Sequence, residues 1–141
     1  MTRSVLFVCN MNSVRSPMAA ALLRAAARDA LKVDSAGVYE GYLDPFVAAV
    51  MEEADISMED HEPKAMKTLD LASFDIVIAL TQEAAAEAKR LVDGERIELW
   101  DTVNPSGERG GREAVLAAYR AVRDELNEKI ADRFADFTQK P

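Results

Sequence analysis

The sequence predicts an α/β fold with three layers, in which a four-stranded parallel sheet lies between helices. Four short apolar segments alternate along the chain with segments that carry helix-start signals or helical spacing. The 141 residues are enough for one domain with a substantial core. No internal repeat or low-complexity segment interrupts them, so we treat residues 1–141 as a single domain.

The first strand and the first helix are predicted from the opening thirty residues. Residues 4–8 are rich in β-branched and aromatic side chains, which is typical of a buried central strand that ends at Cys9. Ser16-Pro17 is a helix-start signal, with serine at the N-cap and proline at the first helical position. The alanine-rich and leucine-rich segment from residue 17 to about residue 30 then favours a helix.

The next elements continue the alternation of strand and helix. Residues 31–35 form the second predicted strand, and Asp44-Pro45 begins the second helix. Residues 75–80 have the length and composition of a buried third strand. Thr81 follows them directly and is a suitable N-cap for a third helix.

Residues 96–100 are the fourth predicted strand, and a long final helix begins near Gly111. One face of that helix is apolar at helical spacing, which indicates core packing rather than a cofactor site: Val115, Tyr119, Val122, Leu126, Ile130 and Phe134.

Parallel sheets bind ligands beyond the carboxyl ends of their strands. Cys9, the loop at Gly37, Thr81 and Asp101 all follow predicted strands at those ends. We therefore expect these residues to lie at one edge of the sheet.

The seven residues between Cys9 and Pro17 are predicted to form an anion-binding loop. Their backbone N–H groups have no sheet ladder to join, so they can surround a tetrahedral dianion at a helix N-terminus. The field of such a loop also favours the thiolate form of Cys9, the only cysteine in the chain. Arg15 offers a planar fork for two equatorial oxygens of a phosphorus or arsenic oxyanion.

Two polar residues of this loop have predicted supporting roles. Asn12 tolerates a left-handed conformation and can bridge the loop amides. Ser16 can donate its hydroxyl hydrogen to the sulfur and stabilise a negative charge there. A lone cysteine at a strand end is most often a buried apolar residue, and an arginine six positions later is usually a surface charge. The combination of strand, Asn12, Arg15, Ser16-Pro17 and helix favours a site instead.

This cysteine-to-proline segment resembles the signature of the low-molecular-weight protein tyrosine phosphatase and arsenate reductase family: a cysteine, five residues, an arginine and a serine. The likeness continues into residues 34–37 and 74–78 and into the loop after Trp100, so it covers nearly the whole chain. It implies a phosphotyrosine phosphatase I-like fold. It also implies that Cys9 attacks the substrate and forms a cysteinyl-phosphate while Arg15 holds the equatorial oxygens.

The resemblance also implies which residues surround the substrate. Those from the loop are Asn10, Met11, Asn12, Ser13, Val14 and Ser16. Tyr39, together with Tyr42, could form an aromatic wall beside the site, although exposed loop tyrosines are common.

The chain departs from the family pattern at the proton donor. The family has an aspartate directly before a proline after the last strand, whereas this chain has Asn104-Pro105. Asparagine cannot exchange a titratable proton with a leaving group or with water. Asp101 could perform this role if the loop folds it inward, and the alternative is a solvated carboxylate. Asn104 would then contact the substrate without transferring a proton.

The chain also lacks features that many relatives have. Ser106-Gly107 stand where family phosphatases usually have aromatic residues. Val14 stands where many relatives have a second cysteine, so an internal disulfide cannot regulate the site.

Composition and charge exclude several classes of function. The formal net charge of −8 argues against broad nucleic-acid binding, which needs a basic face. No apolar stretch is long enough for a membrane span, and the N-terminus does not resemble a signal peptide. One cysteine fits a reducing compartment, so we expect a cytoplasmic protein, and by default a monomer. His61 is the only histidine, so we expect no metal site and no cofactor.

Three functions remain open at this point. The first is a phosphomonoester hydrolase that acts on a phosphotyrosine protein or a small phosphomonoester through Cys9. The second is an arsenate reductase that uses an external small thiol, because the chain has no cysteine to relay a disulfide. The third is a degenerate module that binds phosphate or a phosphorylated partner. Asn104 favours this third function, and it is less damaging to arsenate reduction than to ester hydrolysis.

Overall fold

A computed structural model describes residues 2–138 of the chain. Within them a four-stranded sheet has the spatial order β2-β1-β3-β4, and all three pairings are parallel. Its strands are β1 (Ser4–Cys9), β2 (Lys32–Gly37), β3 (Ile76–Ala79) and β4 (Ile97–Leu99). The predicted α/β fold with a four-stranded parallel sheet is confirmed.

Helices follow the strands as the sequence pattern predicts. They are α1 (Arg15–Ala27), α2 (Pro45–Glu52), α3 (Gln82–Lys89), α4 (Arg112–Arg133) and the short α5 (Ala135–Thr138). No helix in the part of the chain that the structure describes is both long and apolar enough to cross a membrane.

The three layers arise because β1 is buried on both faces. Val5, Phe7 and Cys9 belong to the apolar cluster formed with α1, α2 and α4. Leu6 and Val8 point to the opposite face, into the cluster that α3 covers. This alternation follows from the two-residue period of a strand and makes β1 the centre of the core.

The strand order places a switch point at the carboxyl end of β1. The chain goes from β1 to one side to form β2, and it returns to the other side of β1 to form β3. Loops that leave adjacent strands in opposite directions open a crevice at that end of the sheet, where ligands bind in open α/β folds. Cys9 is the last residue of β1, so this topology puts it at the crevice.

The start of α1 and the end of β2 each lie two residues from their predicted positions. α1 begins at Arg15 with Val14 as its N-cap, so Ser16 is not the cap but lies inside the first turn. Pro17 fits there because the first N–H groups of a helix have no intrahelical partner. β2 extends to Gly37, two residues beyond the predicted end, because Gly37 still pairs with Cys9 of β1.

A hydrogen bond between helices anchors the start of α2. The Asp44 carboxylate accepts from the Phe46 backbone N–H at 2.8 Å and from the Tyr119 hydroxyl of α4 at 2.5 Å. Burial, and then this bond, raise the pKa of Tyr119. The Asp44 N–H donates to the Ser13 carbonyl at 3.0 Å, so the same residue holds the loop after Cys9.

Candidate active site

Cys9 lies at the bottom of a small pocket at the crevice, with 2% of its surface exposed. The pocket has a volume of about 180 Å³, which suits an oxyanion better than a whole organic ligand. It is lined by Cys9, Asn10, Met11, Ser13, Val14, Arg15, Asn104 and Ser106. The structure therefore brings most of the predicted loop residues together around the sulfur.

The sulfur of Cys9 contacts a hydroxyl group from the first turn of α1. The distance from Cys9 Sγ to Ser16 Oγ is 2.9 Å, and Ser16 is completely buried. Ser16 Oγ accepts a hydrogen bond from Asn12 Nδ2 at 2.9 Å. Its own hydrogen is therefore available to donate to Cys9 Sγ or to the Ala36 carbonyl, which lies 3.3 Å away. A donor at this position stabilises negative charge on the sulfur.

Asn12 organises the loop from behind the pocket. Its φ is 54°, the left-handed conformation that the sequence suggested, and its side chain is completely buried. Asn12 Nδ2 donates to Ser16 Oγ and also to Ser35 Oγ at 3.0 Å. Asn12 Oδ1 accepts from the Lys64 backbone N–H at 2.9 Å. All polar groups of this side chain are thus used to hold the loop, and none is left for a substrate.

Three residues that support the loop were not predicted. Ser35 and Lys64 bond to the Asn12 side chain, and the His61 ring Nε2 lies 3.2 Å from the Asn12 carbonyl oxygen. Burial lowers the pKa of His61, which favours the neutral ring beside that carbonyl. No local pattern links residues 61–64 to the loop.

The segment after β2 packs closely against the Cys9 loop. Backbone N–H groups of Val38, Tyr39 and Gly41 donate to the carbonyls of the loop residues Cys9, Asn10 and Met11 at 2.8–2.9 Å. A Cβ atom on Gly37 would lie 2.6 Å from the Asn12 backbone nitrogen, so only glycine permits this approach. The loop carbonyls therefore point outward to this segment.

Arg15 is held by the loop that follows β4. Its NH1 group donates to the Thr102 carbonyl at 3.0 Å. Arg15 Nε is buried and has no hydrogen-bond partner, the only such side-chain N or O atom among the described residues. Leaving a buried donor unsatisfied costs about 1–3 kcal/mol, so this N–H is a strong candidate for binding an anion in the pocket.

Asp101 does not line the Cys9 pocket. Its side chain is exposed, and its Oδ2 accepts a hydrogen bond from Gln82 Nε2 at 3.2 Å. Thr102, the next residue, is 4% exposed and its N–H donates to the Leu80 carbonyl at 3.0 Å. Because successive side chains of extended chain point to opposite sides, an inward Thr102 directs Asp101 away from the site.

Asn104 lines the pocket, as the family pattern implied for its position. Its Oδ1 accepts from the Ser106 backbone N–H at 3.1 Å and from Ser106 Oγ at 2.7 Å. Among the residues that the structure describes, no aspartate, glutamate or histidine lines the pocket. The lining therefore presents a thiol, a guanidinium, amides and hydroxyls, and it presents no carboxyl or imidazole group that could act as general acid.

Asn10 lies at the pocket, whereas the two tyrosines of the segment after β2 lie outside its lining. Asn10 is part of the pocket lining, but its side-chain amide donates to Glu83 Oε1 at 3.0 Å and accepts from Thr81 Oγ1 at 2.6 Å. Tyr39 is 59% exposed, and Tyr42 is 95% exposed. Neither tyrosine lines the Cys9 pocket, and their role beside a bound substrate stays a prediction.

Comparison with known proteins adds to this geometry. Residues 4–140 match the family model described as low molecular weight phosphotyrosine protein phosphatase. The chain belongs to this family. An arsenate reductase from Bacillus licheniformis is 31% identical over 134 residues, which cover 95% of this chain and 96% of the relative.

Solved structures of the low-molecular-weight phosphatase family have the same fold. An arsenate reductase in the phosphate binding state is 26% identical, with a TM-score of 0.82 over 96% of this chain and 98% of that chain. An arginine phosphatase from Geobacillus stearothermophilus is 28% identical, with a TM-score of 0.79 over 95% of this chain and 91% of that chain. Members of the family are therefore phosphatases or arsenate reductases, enzymes for phosphate-bearing substrates or arsenate.

Proposed function

We propose that this chain is a cysteine-dependent phosphomonoester hydrolase that forms a cysteinyl-phosphate intermediate. The observation that supports this most strongly is the pairing of Cys9 with Arg15 in one pocket of oxyanion size. Cys9 Sγ has a hydroxyl donor at 2.9 Å, and Arg15 has a buried, unpartnered N–H. A nucleophile and a cationic fork at one small site are what phosphoryl transfer to sulfur requires.

In the first step the Cys9 thiolate attacks phosphorus and an S–P bond forms. The bond between phosphorus and the leaving oxygen breaks, and that oxygen departs with the electron pair. Arg15 and the loop N–H groups stabilise the equatorial oxygens, while Ser16 stabilises the thiolate before attack. In the second step water attacks phosphorus, the S–P bond breaks, and Cys9 returns as the thiolate.

Both steps need a proton transfer for which the pocket lining offers no acid or base. The leaving oxygen and the attacking water then exchange protons with solvent. Loss of a general acid–base group costs about 10²–10⁴ in rate. We therefore propose an enzyme that is efficient only with leaving groups of low basicity and whose intermediate is hydrolysed slowly. The exposed position of Asp101 supports assigning it no proton-transfer role.

Alkylation tests this proposal through the state of Cys9. Iodoacetate should modify Cys9 at pH 7 about tenfold or more faster than free cysteine, which is only a few per cent thiolate at that pH. Orthovanadate, a tetrahedral oxyanion that can expand its coordination, should suppress this modification and inhibit turnover of para-nitrophenyl phosphate at the same concentrations. A sulfur that reacts like free cysteine and is not protected by vanadate would contradict the proposal.

A second candidate function is arsenate reduction with an external small thiol, and the carboxylate-free pocket lining favours it. Cys9 attacks arsenic(V) and a hydroxyl leaves as water. An external thiolate then attacks Cys9 sulfur, forms a mixed disulfide, and arsenic leaves as arsenite with the electron pair of the S–As bond. A second external thiol then attacks the mixed disulfide, which releases Cys9 as the thiolate and the external thiol as its own disulfide. Arsenite production that depends on added thiol and on Cys9 would establish this reaction.

A further inference from the structure

The orientation of the Asn104 carboxamide follows from the atoms around it. The Ser106 backbone N–H can only donate, so the side-chain atom 3.1 Å from it must be Oδ1. Ser106 Oγ, at 2.7 Å, donates to the same oxygen. Asn104 Nδ2 is therefore on the other branch of the amide, and it forms no hydrogen bond to another residue of the described chain.

The loop that carries Asn104 is fixed relative to Arg15. Thr102, two residues earlier, is 4% exposed and its N–H extends the sheet ladder to the Leu80 carbonyl at 3.0 Å. The Thr102 carbonyl in turn accepts from Arg15 NH1 at 3.0 Å. Asn104 and Arg15 thus line one pocket from elements that are bonded to each other.

We infer that Asn104 is an oxyanion-binding residue whose Nδ2 donates to the oxygen of the bound anion that faces away from Cys9. This inference rests on the proposed function only in requiring that the Cys9 pocket binds a tetrahedral oxyanion. A carboxylate at this position would repel a dianion once ionised, whereas a neutral amide attracts it at every pH. The amide is therefore suited to tetrahedral dianions, including the phosphoryl group of the proposed substrate.

Sulfate is a suitable probe because its charge stays at two between pH 5 and pH 8 and it cannot react with sulfur. Its affinity is measured by calorimetry for the wild type, Asn104→Ala and Asn104→Asp. At pH 8 Asn104→Ala should bind sulfate about tenfold or more weakly, since it loses a hydrogen bond to a charged group. Asn104→Asp should bind more weakly still, and should recover in part toward the Asn104→Ala value as the pH falls to 5, because the protonated fraction of its carboxyl rises about tenfold for each pH unit.

Asn104→Asp also tests whether weaker binding comes from a disturbed loop, because it retains the side-chain oxygen that accepts from the Ser106 backbone N–H. A loss that reverses with acid cannot come from an unfolded loop. Equal sulfate affinity in the wild type and Asn104→Ala at pH 8, or no sulfate binding by the wild type, would overturn the inference. If the Asn104 variants bind weakly as expected but Cys9 resists alkylation, the proposed function fails and the inference stands. If Cys9 behaves as proposed and the variants bind normally, the inference alone fails.

Discussion

Cys9→Ser should reduce kcat/KM for para-nitrophenyl phosphate by on the order of 10⁵-fold or more, the scale found when an enzyme loses its nucleophile. The serine hydroxyl stays protonated at neutral pH, and the pocket lining contains no base that could activate it. The substitution conserves volume and can keep the contact to Ser16 Oγ, which lies 2.9 Å from the sulfur. The measurement is steady-state turnover of purified wild type and variant.

Sulfate affinity and the urea midpoint are the controls for Cys9→Ser. Both should stay close to those of the wild type, because Arg15 and the loop N–H groups are unchanged. Retention of more than about a hundredth of the activity would show that another group attacks phosphorus.

Asn104→Asp should raise kcat for phenyl phosphate, a poor leaving group, by about 10²–10⁴. The new carboxyl stands at the pocket wall where the leaving oxygen departs, and it can supply the proton that the wild-type pocket lacks. The increase should be much smaller for para-nitrophenyl phosphate, whose leaving oxygen needs little protonation. The measurement is kcat for a series of aryl phosphates plotted against the pKa of the leaving phenol.

Asp101→Asn is the matched control, because it changes a carboxylate that lies outside the pocket lining. It should leave the leaving-group dependence unchanged. A loss of activity on phenyl phosphate in Asp101→Asn, without a gain in Asn104→Asp, would identify Asp101 as the proton donor. The loop would then have to release Asp101 from Gln82 during catalysis.

The sheet and the Cys9 loop could be predicted because their signals are local. A short apolar run specifies β1. The residues that follow Cys9 have distinct chemical roles within a single short loop. Asn12 is an example, since its tolerance for a left-handed conformation is a property of the residue itself. The order of the strands then brings the predicted residues to one edge.

Features that depend on distant contacts were harder to predict. Ser16 has the chemistry of an N-cap, but its hydroxyl contacts Cys9 and Asn12. Helix α1 already starts at Arg15, the residue before Ser16. The choice between Asp101 and Asn104 depends on Thr102, whose burial turns Asp101 outward. The Lys64 N–H reaches Asn12 across 52 positions, and no short motif encodes such a contact.

The most direct test of this account is to trap the intermediate on Cys9. Wild-type protein is mixed with para-nitrophenyl phosphate, quenched with denaturant within the first turnover, and analysed by intact mass and peptide mapping. Because the pocket lining offers no base for the second step, we expect one phosphoryl group per chain on the peptide that contains Cys9, with a matching burst of nitrophenol. Turnover with Cys9 unmodified throughout, or a phosphoryl group on another residue, would contradict the account.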